Sequence, residues 1–137
     1  MEVEIEKIDG LKLKGKDDSG HEIIIDTKKE FGGYDSAPSP MKLLLFSLGS
    51  CTLMDVISLL DKMKVDYDDI KIKVSGERRD EHPKIFKNIK IKYTIYGKDP
   101  DESKIKKSID LSIEKYCSVH VMLKKSTEIS NSFEIIK

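Results

Sequence analysis

The organisation of this chain hinges on Ser39-Pro40-Met41-Lys42-Leu43-Leu44-Leu45-Phe46-Ser47-Leu48-Gly49-Ser50-Cys51-Thr52-Leu53-Met54-Asp55-Val56-Ile57-Ser58-Leu59-Leu60. Serine ahead of proline is a strong helix start. The hydroxyl can cap exposed N–H groups, and proline at the first helical position loses no hydrogen bond and presets φ. The spacing predicts a helix to about Met63, on the order of 36 Å at 1.5 Å per residue. Leu43, Leu44, Leu45, Phe46, Leu48, Leu53, Met54, Val56, Ile57, Leu59 and Leu60 cover nearly every face of it. A helix apolar all round needs cover all round. One small sheet cannot supply that cover, so a second subunit is expected against it. Ser47, Gly49, Ser50 and Thr52 would permit close approach there, or else sit under the chain's own sheet. The window Leu43 to Leu60 is about long enough to span a bilayer, but it contains Ser47, Ser50, Thr52, Asp55 and Ser58 and lacks interfacial aromatic anchors. It reads as a buried helix, with no membrane partner.

Upstream, Val3 and Ile5 alternate with acidic residues, Asp9-Gly10 supplies a hairpin turn, and Leu11 and Leu13 alternate with lysine. Asp17-Asp18-Ser19-Gly20 then turns the chain into Glu22 to Asp26, completing a three-strand meander. Residues 27 to 38, with Gly32-Gly33 and the nearby prolines Pro38 and Pro40, form a loop. Downstream, Ile70, Ile72 and Val74 form one half-buried strand, and Ile89, Ile91, Tyr93 and Ile95 another. Between them runs the polar connector Gly76-Glu77-Arg78-Arg79-Asp80-Glu81-His82-Pro83. Asp99-Pro100-Asp101-Glu102 is a capping-box start with Asp99 as the cap. The helix it opens has an apolar face of Ile105, Ile109, Ile113 and Tyr116, which puts Tyr116 in the core and Cys117 at the helix end. A short turn-like or helical stretch reaches Leu123, and a last strand carries Thr127, Ile129, Asn131, Phe133 and Ile135 on one face. The class is α+β, the order βββ-α-ββ-α-β, within a single domain, 1–137.

The composition of 38% hydrophobic and 36% charged residues suits a soluble globular protein. Twenty-five basic residues balance 25 acidic ones, and Arg78 and Arg79 are the only arginines, which speaks against nucleic acid as a partner. The N-terminus has no basic stretch followed by an apolar run, so a cytoplasmic location is expected. A reducing compartment makes a structural disulfide between the two cysteines unexpected. Their spacing of 66 residues is far from a local zinc pattern, so no metal is expected. Gly32-Gly33 has no phosphate-loop context and no serine lies in a G-x-S-x-G context, so no nucleotide cofactor or hydrolase chemistry is indicated.

Three stretches carry a resemblance. Ala37 to Val56, with its Ser-Pro start, apolar run, small-residue patch and cysteine, resembles the helix signature of the OsmC-like family (the OsmC/Ohr superfamily). Glu114-Lys115-Tyr116-Cys117-Ser118-Val119 resembles its second cysteine motif. The connector Gly76 to Pro83 is similar to that of the branch called YhfA-like. The family fold has the element order read above. The resemblance implies an intertwined homodimer with two long helices at its centre and a cysteine on each near the interface. It further implies thiol-dependent reduction of organic hydroperoxides in oxidative or osmotic stress defence. Cys51 would be the peroxidatic cysteine and Cys117 the resolving one, with a dithiol reductant reopening the disulfide.

Activation is the point of departure. A free thiol is only roughly 3% ionised at pH 7, and Cys51 lies too deep in its helix for the N-terminal dipole to help. Peroxidase members of the family use an arginine from the N-terminal strands, held by a glutamate ten positions before the cysteine. Here that position is Met41, followed by Lys42, and the first 77 residues contain no arginine. Arg78, and less so Arg79, is the substitute considered, beside solvated charges in a turn. His120, three positions after Cys117, could tune a thiol or fill a structural role. Asp55, one helical turn after Cys51, would disfavour a thiolate if it faced the same pocket. Tyr34 could line a substrate pocket or cover apolar surface. Three functions are therefore carried forward. The first is a hydroperoxide reductase. The second is a non-catalytic redox-sensing or small-apolar-ligand-binding dimer, and the third a scaffold whose cysteines are merely buried.

Overall fold

The computed structural model describes residues 1–137 and falls into two compact units, Met1–Leu44 and Leu45–Lys137. The first holds strands β1 (Val3–Asp9), β2 (Lys12–Asp17) and β3 (Glu22–Ile25) in one antiparallel sheet in that order. Gly10, at φ 56°, makes the Asp9-Gly10 turn in a backbone region that costs other residues energy. The loop after β3 is built around one carboxylate. Asp26 is 1% exposed and accepts hydrogen bonds from the backbone N–H groups of Thr27, Tyr34 and Ser36 and from the Ser36 hydroxyl, the last at 2.6 Å. A Cβ on Gly33 would strike Thr27 O and Asp26 Oδ1, so the second glycine of the pair is required by this wrap.

Helix α1 spans Pro40–Lys62. By length and composition it could cross a membrane. In the second unit it instead buries a stripe of Leu48, Thr52, Val56 and Leu60, each 0% exposed and each four residues from the next. The stripe lies on a sheet ordered β4 (Asp69–Arg78), β5 (Phe86–Tyr96), β6 (Glu128–Ile136), with β4 antiparallel and β6 parallel to β5. The approach is closest at Gly49, where a Cβ would come within 2.9 Å of Val74 Cγ2 on β4. From β5, Ile89, Ile91, Tyr93 and Ile95 are all at most 1% exposed. Each buried isoleucine of that row contributes about 2 kcal/mol. The core is completed by Ile105 and Ile109 of α2 (Glu102–Leu111).

As expected of a helix that one small sheet cannot enclose, α1 is covered by its own chain on one stripe only, and Phe46 and Met54 stay 63% and 69% exposed. Three expectations are revised. The cap of α2 is Asp101, not Asp99. Asp101 Oδ1 accepts from the Lys104 N–H at 3.1 Å and from Ser103 Oγ at 2.7 Å, and the Asp99 frame lacks that second donor. β4 runs on to Arg78 through a register shift at Glu77/Arg78, which shortens the connector. Finally, Tyr116 is 48% exposed rather than in the core. After α2 the helix widens into a π turn, Ser112–Tyr116, in which the Cys117 N–H donates to Ser112 O five residues back at 2.7 Å. Five-residue spacing brings Ser112 and Cys117 to the buried side and turns Tyr116 outward. The short helix α3, Ser118–Leu123, follows directly.

Candidate functional site

The π turn and α1 meet at the two cysteines. Cys51 lies on α1, with Asp55 one turn further along the same face, and Cys117 is delivered by the π turn. Cys51 Sγ, Cys117 Sγ and an Asp55 carboxylate oxygen all lie within 4.8 Å of one another. Both cysteines are free thiols, Cys51 half-buried and Cys117 fully buried.

Asp55 thus faces the pocket, as considered from its helical spacing. Its Oδ2 accepts from Ser112 Oγ at 2.9 Å. Cys117 caps α3, with its Sγ accepting the His120 backbone N–H at 3.4 Å. Burial pushes the Cys117 thiol up to about 12, and the neighbouring Cys51 and the Asp55 charge push the same way. Only the His120 N–H opposes them.

His120 therefore acts on the thiol through its backbone. Its ring is buried, both ring nitrogens lack a hydrogen-bond partner, and burial, followed by the Lys124 charge, lowers its pKa. Tyr93, from the core face of β5, is also part of this pocket. Its Oη is buried beside the Thr52 hydroxyl, which donates to Leu48 O at 3.0 Å and keeps lone pairs that can accept from the phenol. Burial raises the Tyr93 phenol to about 12; a hydrogen bond to the Thr52 hydroxyl opposes it, and the Cys117 and Asp55 charges add to the rise.

The arginines take another place. Arg78 Nε donates to Lys84 O at 2.6 Å and Arg79 Nε to Pro83 O at 2.5 Å, so both side chains, exposed, close the connector on itself. The leading charges acting on Cys117 and Tyr93 are those of the neighbouring thiol and of Asp55. The first turn of α1 has no acidic residue, in keeping with Met41 at that place. Tyr34 donates to Asp9 Oδ2 at 2.5 Å and is 48% exposed.

Ser112 and Tyr93 were not singled out from the sequence. Tyr93 was legible only as a core position of β5. Nothing in the sequence marks Ser112, because its role depends on the π turn. The spacing of 66 residues that spoke against a metal is a distance along the chain, and the fold reduces it to contact range.

Comparison with known proteins matches this arrangement to one family. The OsmC-like protein family matches residues 33–132, a stretch that includes both cysteines and Asp55. Protein YhfA of Escherichia coli K12 is 37% identical over 136 residues, covering 99% of this chain and 98% of that protein. A solved structure from Aquifex aeolicus VF5 is 38% identical with a TM-score of 0.82, covering 99% of this chain and 97% of that one. An organic hydroperoxide resistance protein OsmC from Legionella pneumophila shares the fold at a TM-score of 0.73 and 14% identity, covering 96% and 94% of the two chains. With its α+β fold of one long helix and two small sheets, and its two neighbouring cysteines, the chain belongs to the OsmC-like protein family.

Proposed function

We propose that the chain reduces organic hydroperoxides with its two thiols, Cys51 attacking and Cys117 resolving. The observation that carries this is the approach of the two sulfurs to within 4.8 Å of each other. Side-chain rotation and a small backbone shift bring such a pair to the S–S bond length of about 2.05 Å. Access sets the order: Cys51 is half-buried and Cys117 fully buried, so an incoming peroxide meets Cys51 first.

In the first step the Cys51 thiolate attacks the terminal peroxide oxygen, the O–O bond breaks, and the leaving alkoxide takes a proton to become an alcohol. Cys51 is then a sulfenic acid. The Cys117 sulfur attacks it, a disulfide forms, and water leaves. An external dithiol returns two electrons and two protons by exchange, becoming a disulfide itself.

The active form is proposed to be a homodimer. Phe46 and Met54 on α1 are 63% and 69% exposed, and Val3 and Ile5 of β1 are 68% and 58% exposed. Apolar exposure on this scale in a chain of this size is the mark of an interface. Light scattering on a size-exclusion column should give twice the mass of 15.6 kDa.

A second reading, a redox-sensing or ligand-binding dimer without turnover, is favoured by the Asp55 carboxylate at the sulfurs and the non-acidic first turn of α1. One experiment separates the two. Reduced protein is mixed with one equivalent of cumene hydroperoxide, and thiol count and intact mass are followed by rapid quench. Rapid loss of both thiols with about two mass units, repeated in the presence of a dithiol, supports the reductase. Persistence of both thiols rules it out, and a single slow oxidation without turnover selects the sensor.

A further inference from the structure

Cys51 and Asp55 stand at i and i+4 on one helix, the spacing by which a helix presents two ligands to one ion. Cys117 supplies a third donor from a different element, and all three donor atoms lie within 4.8 Å of one another. In a tetrahedral site with metal–sulfur bonds of about 2.3 Å, two sulfurs stand roughly 3.8 Å apart, so rotamer-scale adjustment closes the set on an ion. The outer contacts are those of a ligand set. Ser112 Oγ holds Asp55 Oδ2 at 2.9 Å, leaving Oδ1 for the ion, and the His120 N–H points at Cys117 Sγ at 3.4 Å. The leading charges acting on Cys117 are those of the neighbouring thiol and of Asp55.

We propose that Cys51, Cys117 and Asp55 bind a thiophilic divalent cation of the zinc class, as two thiolates and one carboxylate with solvent in the fourth position. Binding breaks two S–H bonds and forms two metal–sulfur bonds and one metal–oxygen bond. Two protons leave, and no electron is transferred. Soft thiolate ligands select zinc and cadmium over magnesium or calcium. Oxidation to the disulfide removes two of the three ligands, so the ion belongs to the reduced protein. This site is independent of turnover with peroxide, and the experiment uses none.

The reduced, tag-free chain is titrated in oxygen-free buffer with Zn²⁺ against a chromophoric chelator and with Cd²⁺, whose sulfur charge-transfer band in the ultraviolet reports thiolate ligation. The expected result is one ion per chain, the Cd²⁺ band, protection of both thiols from Ellman's reagent, and release of about two protons. Ser112→Ala should weaken binding about tenfold to a hundredfold by freeing the carboxylate. Cys51→Ser should bind more weakly and lose at least about half of the band, one of the two thiolates being gone. The proposal is overturned if no ion binds, if binding proceeds without the band, or if Cys51→Ser binds as well as wild type. Should Cys51→Ser fail to fold, wild-type protein oxidised to the disulfide replaces it, and undiminished binding there overturns the proposal equally.

Discussion

Ser112 Oγ donates a 2.9 Å hydrogen bond to Asp55 Oδ2 across 57 residues of sequence. It ties the π turn to the long helix at the point where the two sulfurs meet. Ser112 is fully buried and Asp55 half-buried, so the bond is shielded enough to matter and the carboxylate keeps some water. Ser112→Ala should lower the unfolding free energy by about 1.5 to 3 kcal/mol, the usual loss for a hydrogen bond to a charged group. Urea denaturation monitored by circular dichroism checks this, and an unchanged midpoint would show that the two elements are held together by packing alone.

The two cysteines should respond differently to removal. Cys51→Ser should consume no hydroperoxide. Cys117→Ser should complete one attack and stop, leaving a sulfenic acid on Cys51 that dimedone traps and mass spectrometry reads. Peroxide consumption undiminished in Cys51→Ser would transfer the attack to Cys117, against the difference in their access.

Gly49→Ala sets two effects against each other. Alanine in a helix interior gains about 1 kcal/mol over glycine. Its Cβ, however, would stand 2.9 Å from Val74 Cγ2, on a β-branched side chain fixed in a strand. Overpacking of this kind costs about 1 to 3 kcal/mol. The net expectation is a loss of up to about 2 kcal/mol with a lower thermal midpoint. A variant more stable than wild type would mean that α1 can lift from β4 at no cost.

Much of this fold can be read from periodicity. The alternation of Ile70, Ile72 and Val74 and of Ile89, Ile91, Tyr93 and Ile95 marks two strands, and Ser39-Pro40 marks the start of α1. Both cysteines stand out through their motifs, and Asp55 through its helical spacing. What escapes is what depends on local departures from regular geometry. A 3.6-residue period carries Tyr116 inward, while the π turn shifts the inward position to Cys117 and makes Ser112 its neighbour. The capping box favours Asp99, with Glu102 three residues on where Asp101 has Lys104, yet Asp101 is the cap, held by the Ser103 hydroxyl at 2.7 Å and the Lys104 N–H at 3.1 Å. For Arg78 and Arg79 the sequence leaves two roles open, support of the thiolate from the same or a partner subunit and solvated charges in a turn, and within the chain their Nε groups donate to Lys84 O and Pro83 O.

The wrap around Asp26 predicts a pH response in the first unit. The Ser36 hydroxyl, and then the N–H groups of Thr27, Ser36 and Tyr34, hold the carboxyl at about 2, below its ordinary 3.8, against the opposing effect of burial. A carboxylate with a lowered pKa in the folded state binds fewer protons than in the unfolded chain. Its contribution is therefore complete above 3.8 and is lost as the pH falls towards 2. Protonation removes the charge that gathers those donors, so residues 27–36 should loosen in that window before the sheet β4-β5-β6 does. Hydrogen exchange followed by mass spectrometry at pH 5, 4, 3 and 2 measures this, after correction for intrinsic exchange rates. Asp26→Asn should show weak protection of residues 27–36 at every pH, with no acid transition of its own. A wild-type loop whose protection stays level down to pH 2 would show that Gly33 and the backbone turn, rather than the Asp26 charge, hold it in place.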